Sequence, residues 1–213
     1  MIADDYQKFA ALEDTKKERV INAAMKEFLN GYKNAKTDNI VREAGISKGL
    51  LFHYFGTKEK LYNFLVDYAI DIVQQEFIGL INLKQQDILD SIWQLSLLKQ
   101  ELSVRYPTIF DFVTRVYVDD KDCNAKEYLV KFQAMQKAAM DEIYSSCDMS
   151  LFRDDIPQSK AIEIIWWAQM GFANSKTKDI EKDGIGKSAR DNYDKYLNEL
   201  KEYLDILRLC FYK

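Results

Sequence analysis

The sequence predicts an all-α protein of about nine helices. Three observations lead there. Glycine numbers 8 and proline 2 among 213 residues, too few for a barrel or sandwich built on many tight turns. Apolar residues recur at spacings of three and four along most of the chain, and no segment makes a convincing strand. Apolar residues make up 47% and charged residues 30%, the balance of a soluble globular protein, which excludes wholesale disorder and collagen-like or mucin-like structure. A chain of this length buries roughly 70% of its unfolded surface, so it needs neither disulfide nor metal to hold a core.

The elements follow in order. A first helix is expected over 15–30, with Val20, Ala24 and Phe28 in one row, Ile21 and Met25 in another, and Gly31 just past its end. A second runs over 37–44 and stops at Gly45, where a positive φ is easy. Ser47 caps a third over 48–55, which stops at Gly56. Thr57 caps a fourth, long helix over 58–80, with Leu61, Phe64, Leu65, Tyr68, Ile72 and Val73 on one face. Helices are expected next over 86–105, stopped by Pro107, and over 108–118. Another covers 124–147, with Tyr128, Phe132, Met135, Ala139 and Ile143 in one row. The next runs over 157–176, with Pro157 tolerated in the first turn. A last helix over 188–211 carries the stripe Tyr193, Tyr196, Leu197, Leu200, Tyr203, Leu204, Leu207 and Phe211.

Four of the 8 glycines lie between 31 and 56, so short helices and tight turns precede long helices. The domain boundary is placed there: a head over 1–60, its core about 15–60, and a helical body over 61–213, with the fourth helix bridging them. Charge divides the same way. Net charge is −4, yet residues 15–60 hold 10 basic and 5 acidic side chains, against 20 and 29 in the rest. A basic head on an acidic body points to a polyanionic partner for the head.

Two short helices around a turn containing glycine make a helix-turn-helix. Ile40, Ala44, Ile46 and Leu51 have the spacing of the small core that fixes the angle between them. The helix over 48–55 then presents Lys48, Gly49, Leu50 and His53 outward, as a major-groove reader must. Thr37 and the free N–H groups at the start of the preceding helix can take a phosphate, and Tyr54 has a hydroxyl on the same side. Lys58 stands at a helix start, where the dipole disfavours a cation, and so invites an anionic partner.

Thr37, Ile40, the run Ala44-Gly45-Ile46-Ser47, the run Lys48-Gly49-Leu50-Leu51-Phe52-His53-Tyr54-Phe55, Lys58 and Leu61 together resemble the DNA-binding domain of the TetR/AcrR family of bacterial one-component regulators. The motif covers about a quarter of the chain; the rest is similar in length, helical character and helix order. The resemblance implies a homodimer on a palindromic operator of double-stranded DNA. It implies phosphate contacts from Thr37, Phe52, Tyr54 and Lys58 and base-facing positions at Lys48, Gly49, Leu50 and His53, with Ser47 at the cap. Phe52 stands where the family usually has Tyr, which removes one hydroxyl-to-phosphate bond. Val41 replaces a usual Ala, and Asp38 puts an acid near the DNA side.

The family also implies a small effector in the body and dimerisation through the last two helices. Trp93, Phe110, Phe132, Met135, Trp166, Trp167 and Met170 are expected to line an apolar pocket for a lipophilic or amphipathic molecule, with Glu163 or Asp111 available to a cationic group. Ile162, Ile165, Tyr196, Leu200, Tyr203 and Leu207 are expected at the dimer interface. Effector and operator then weaken each other through the bridging helix.

Rival readings are weaker. His53 is the only histidine, which removes histidine triads and multi-histidine metal sites, so no catalysis and no cofactor are expected. Cys123, Cys147 and Cys210 form neither a disulfide framework nor a zinc motif. DGIGKS at 183–188 lacks the first glycine of a phosphate loop, because residue 181 is Glu181. The stretch from Asp179 resembles half a calcium loop, but Arg190 stands where the bidentate Glu belongs. Both are expected in a loop before the last helix. No signal peptide and no membrane span is visible, so a cytoplasmic protein is expected. A helical interaction protein, or a ligand-independent regulator with weak or altered DNA binding, is the alternative that Phe52 and Asp38 motivate.

Overall fold

A computed structural model describes residues 6–80, 87–118, 143–183 and 192–213, with 130, 134, 137, 138, 140 and 141. The fold is all-helical, and the described residues hold no strand beyond one isolated bridge, Phe152 to Tyr212. The helices are α1 (Gln7–Ala10), α2 (Asp14–Phe28), α3 (Thr37–Ala44), α4 (Lys48–Phe55), α5 (Lys58–Leu80), α6 (Ile88–Arg105), α7 (Pro107–Val118), α8 (Gln158–Asp183) and α9 (Tyr193–Phe211). Helical residues also lie between 130 and 145.

The chain forms two compact units: Met1–Glu76 with Tyr106–Lys131, and Phe77–Arg105 with Phe132–Lys213. In the first unit α2 packs on α3 and α7, and α3 on α4. Phe28 of α2 meets the rings of Tyr62 and Phe112 at 5.0 and 6.4 Å. That contact explains why α7 joins this unit: Phe112 and Val116 bury their faces there. The packing unit is therefore larger than the 1–60 segment expected to carry the head's function.

The short α1 is missing from the sequence reading, which begins its first helix at 15. Four residues are too few for a periodic signal, and so short a helix does not persist alone in water. Tertiary burial holds it. Phe9 is wholly buried, with its ring 4.8 Å from Phe55 and 5.3 Å from Phe64. Tyr6 adds contacts to the same two rings.

The second unit gathers Ile88, Leu89, Ile92, Met140, Ile143, Phe152, Ala161, Ile165, Leu200, Leu204 and Phe211 into one core. Asp87 starts α6 by accepting from the N–H groups of Leu89 and Asp90 at 2.8 and 3.2 Å. It also accepts from Arg208 at 2.6 Å and from the Tyr212 hydroxyl at 2.8 Å. Arg208 reaches Asp90 as well, at 2.6 Å. Burial opposes the charge on Asp87, but Arg208, Tyr212 and the helix-start N–H groups outweigh it and hold the carboxyl below its usual range. This clasp ties the end of α9 to the start of α6.

Two expectations need correction. The helix expected over 157–176 continues to Asp183, because Ser175–Asp183 contains neither glycine nor proline and Lys176 braces it against Asp179 and Glu199 at 3.6 and 2.6 Å. Asp179 to Asp183 are thus helical, not loop, and the remainder of the two loop-like motifs lies outside the described residues. Pro107, expected only as a stop, opens α7, where its missing N–H is not needed.

Candidate nucleic-acid interface

The head's geometry is set by short-range rules. Gly45 ends α3 with φ 67°, a left-handed conformation costly to any residue with a Cβ. The Ser47 hydroxyl accepts the Leu50 N–H at 3.1 Å and starts α4. Gly56 ends α4 with φ 71°, and Thr57 accepts the Lys60 N–H at 3.1 Å to start α5. The expected bounds of α3, α4 and α5 match the observed ones.

Ile40, Ala44 and Leu51 are buried, as their spacing predicts, while Ile46 and Val41 are half-buried. With Leu51 and Phe55 turned inward, α4 leaves Lys48, Gly49 and His53 exposed on its opposite side. Leu50, Phe52 and Tyr54 are half-buried. A Cβ added at Gly49 would meet no heavy atom within 4 Å, so packing does not require glycine there. Tyr54 leans edge-on against Phe9 at 5.7 Å, which fixes its ring beside the outer face.

The charged groups are less free than the sequence suggested. Lys48 is paired with Asp38 at 2.8 Å across the helix-turn-helix, both side chains being exposed. Lys58 is half-buried, its ammonium 4.7 Å from the centre of the Tyr32 ring, so that ring meets part of the need that its place at a helix start creates. Thr37 is half-buried at the first position of α3. Glu27 of α2 takes the Lys36 N–H at 2.8 Å and the Asn39 side chain at 3.1 Å, pinning that helix start. Glu27, Asn30, Lys33, Asn34, Lys36 and Asn39 line an open surface cavity of about 630 Å³ beside it.

Glu27 and the α1 brace are the parts of this site that the sequence reading missed. Tyr6 and Phe9, three apart in the first ten residues, are the one available signal for α1. No local pattern marks Glu27, because its partners are nine and twelve residues away.

The residues expected to line an effector pocket are distributed over both units. Phe110 is half-buried in the first unit, whereas Trp93, Trp166 and Met170 are half-buried in the second. Trp93 and Trp166 pack against the second core. Trp167 is 60% exposed, because its side of α8 points away from that core. Phe132 and Met135 lie outside the described residues. Between α8 and α9 there is a void of only about 10 Å³, bounded by Ile165, Phe172, Leu200 and Leu207 among others. Glu163, expected to be available to a cationic ligand, is paired with Lys160 at 2.6 Å.

The expected interface residues divide in the same way. Ile165, Tyr196 and Leu200 are buried within the unit, as their inward helical register requires. Ile162 and Leu207 are half-buried and pack on the core. Tyr203 is exposed, and the other exposed apolar positions on these helices are Ile164 and Trp167 on α8 and Ile206 and Leu209 on α9. Among the described residues, no helix is long and apolar enough to cross a membrane.

Residues 20–64 match the family of bacterial regulatory proteins called tetR. A TetR family transcriptional regulator from Chloroflexus aurantiacus J-10-FL is similar in fold, with TM-score 0.65, 17% identity, and 97% of this chain and 98% of the other covered. The ketosteroid transcriptional regulator KstR2 of Mycobacterium tuberculosis is similar with TM-score 0.56, 14% identity and coverage of 95% and 97%. The transcriptional regulator FadR from Bacillus subtilis, in complex with stearoyl-CoA, is similar with TM-score 0.56, 13% identity and coverage of 86% and 96%. No curated protein matches the chain. Residues 20–64 are thus a helix-turn-helix region that matches the bacterial regulatory proteins of the tetR family.

Proposed function

We propose that this chain is a homodimeric, ligand-responsive repressor that acts in the cytoplasm, reads a palindromic operator through α4 and is released by a lipophilic or amphipathic molecule. One observation carries the reading. The outer face of α4, with Lys48, Gly49 and His53, is exposed, while Leu51 and Phe55 on its other side are buried in the head. Lys48, Gly49, Leu50 and His53 then meet base edges. Thr37, Tyr54, Lys58 and the Ser47 helix start meet phosphates, and Phe52 makes an apolar contact where a hydroxyl would have donated. The functional head is 1–60 and the effector and dimer domain 61–213. The exposed apolar positions of α8 and α9 supply the dimer surface. The fold relatives KstR2, a ketosteroid regulator, and FadR, with stearoyl-CoA, support an effector with a large apolar body.

Fluorescence anisotropy on duplexes tiling the region upstream of the gene tests this. Tight binding to one tile is expected, falling steeply with salt and lost in a Lys48→Ala, Lys58→Ala double variant. Equal weak binding to every tile, unchanged in the variant, together with failure of a genome-wide selection, would favour an interaction protein instead.

A further inference from the structure

We propose that two copies of this chain pair about a two-fold axis at the level of Ile206, with Trp167 of each copy seated in the gap above the other's Gly171. This rests on the dimer reading above and sets the register of that contact.

The register comes from how α8 and α9 lie within one chain. Lys176 meets Glu199 at 2.6 Å, and the Phe172 ring lies 5.8 Å from that of Tyr203. Four residues back along α8 correspond to four forward along α9, so the two helices run antiparallel. Three further residues put Gln169 at the level of Ile206. The exposed apolar side chains of α9, Tyr203, Ile206 and Leu209, are spaced evenly about Ile206. On α8 the exposed Trp167 and Gly171 stand two residues to either side of that level. The outer faces of both helices thus share one midpoint. In a two-fold contact, residue i meets j and j meets i. An axis at this height brings Ile206 to its own copy, Tyr203 to the partner subunit's Leu209, and Trp167 to the partner subunit's Gly171.

Shape fits the same axis. Trp167 and Gly171 are one turn apart on the same side of α8. Trp167 projects a large ring into water, whereas a Cβ added at Gly171 would meet nothing within 4 Å. Glycine is less favourable than alanine inside a helix, and no contact among the described residues accounts for it here. A ring beside a gap is complementary to its own copy turned end for end, as a knob is to a hole. Charge fits as well. From Ile164 to Ser175 α8 carries no charged residue, so its centre matches another uncharged surface. Towards each end, the axis brings the partner subunit's Lys160 to the level of Lys178, next to the stretch of α9 that holds Glu199 and Glu202. Lysines from α8 and acids from α9 then interleave at the rim, an arrangement that helps to fix register.

The test mixes two full-length variants, Trp167→Ala and Gly171→Trp, and weighs the dimers by native mass spectrometry. Alone, the first sets gap against gap and the second ring against ring. Each is expected to self-associate at least about tenfold more weakly than wild type. Mixed, every crossing matches one ring with one gap. The ratio of mixed to self-paired dimer is therefore expected to exceed its random value at least about tenfold. A second measurement leaves ring and gap untouched. Ile206→Cys in a Cys210→Ser background is expected to give a disulfide-linked dimer on oxidation with copper phenanthroline, well above the Cys210→Ser protein itself. Should Gly171→Trp fail to fold, this cross-link decides alone. Random mixing of the folded variants, or no added cross-link, in a chain that stays dimeric would overturn the register and leave the dimer standing. A wild-type chain that sediments as a monomer would overturn both.

Discussion

The two units finish their surfaces differently. In the first, large rings close on one another: Phe9, Phe55 and Phe64 under α4, and Phe28, Tyr62 and Phe112 beneath α2. Its helix-turn-helix shows polar groups outward. In the second, α8 and α9 close a core on one side and leave Ile164, Trp167, Tyr203, Ile206 and Leu209 exposed, Leu209 at 81%. The head offers a charged face, and the last two helices offer an apolar one. A polar face suits a reversible, salt-sensitive partner. An apolar one suits a lasting partner such as a second copy.

The largest effect should come from charging the apolar face. Trp167→Asp with Leu209→Asp places two acids on each protomer, doubled by symmetry, and should convert dimer to monomer in analytical ultracentrifugation, with association weakened at least ~1000-fold. Retention of the dimer would place the interface elsewhere.

Next in size is the brace beneath α4. Phe9→Ala removes a wholly buried ring and should cost about 3–5 kcal/mol in denaturant unfolding. DNA binding should fall with it, although Phe9 is no contact residue.

The α6–α9 clasp comes third. Asp87→Asn should cost about 1–3 kcal/mol at neutral pH, since it weakens charge-assisted bonds from Arg208. The folded carboxyl sits below its usual pKa, so its contribution is complete above about pH 4 and is lost as pH falls through the lower folded value. Chemical unfolding of wild type and variant across pH 2–7 should therefore converge at the acid end.

Gly49→Ala separates folding from reading. Its added Cβ meets nothing, so the head should gain up to about 1 kcal/mol from helix propensity while operator affinity drops. If affinity is unchanged, DNA does not approach α4 at that residue.

The smallest effect is expected at Asp38. Its pair with Lys48 is exposed, so Asp38→Asn should alter stability by no more than about 1 kcal/mol. It should raise affinity for all duplexes by removing a negative charge from the DNA side, which a competition assay with unrelated DNA would reveal.

Reading the head from sequence worked because its decisive features are local. Gly45, Ser47, Gly56 and Thr57 set helix ends within four residues of themselves. Caps and left-handed turns obey backbone geometry that one stretch of chain contains. The same local logic predicted the burial of Ile40, Ala44 and Leu51. It reached less far in the body, where periodicity located helices but not their partners. The stripe on α9 was visible, yet a stripe states which side is apolar, not whether a core or a partner covers it. Tyr196 and Leu200 went to the core, and Ile206 and Leu209 stayed outside.

The helices, their caps, the turn geometry and the basic head were thus written in the chain, because backbone sterics, hydrogen-bond rules and charge act over a few residues. Folding in three dimensions decided the rest. It set α1 under α4, gave α7 to the first unit, and paired Lys48 with Asp38 and Glu163 with Lys160. The physical reason is common to all of these. Burial and pairing depend on what stands opposite a side chain, and that group is supplied by another turn of helix or a distant segment.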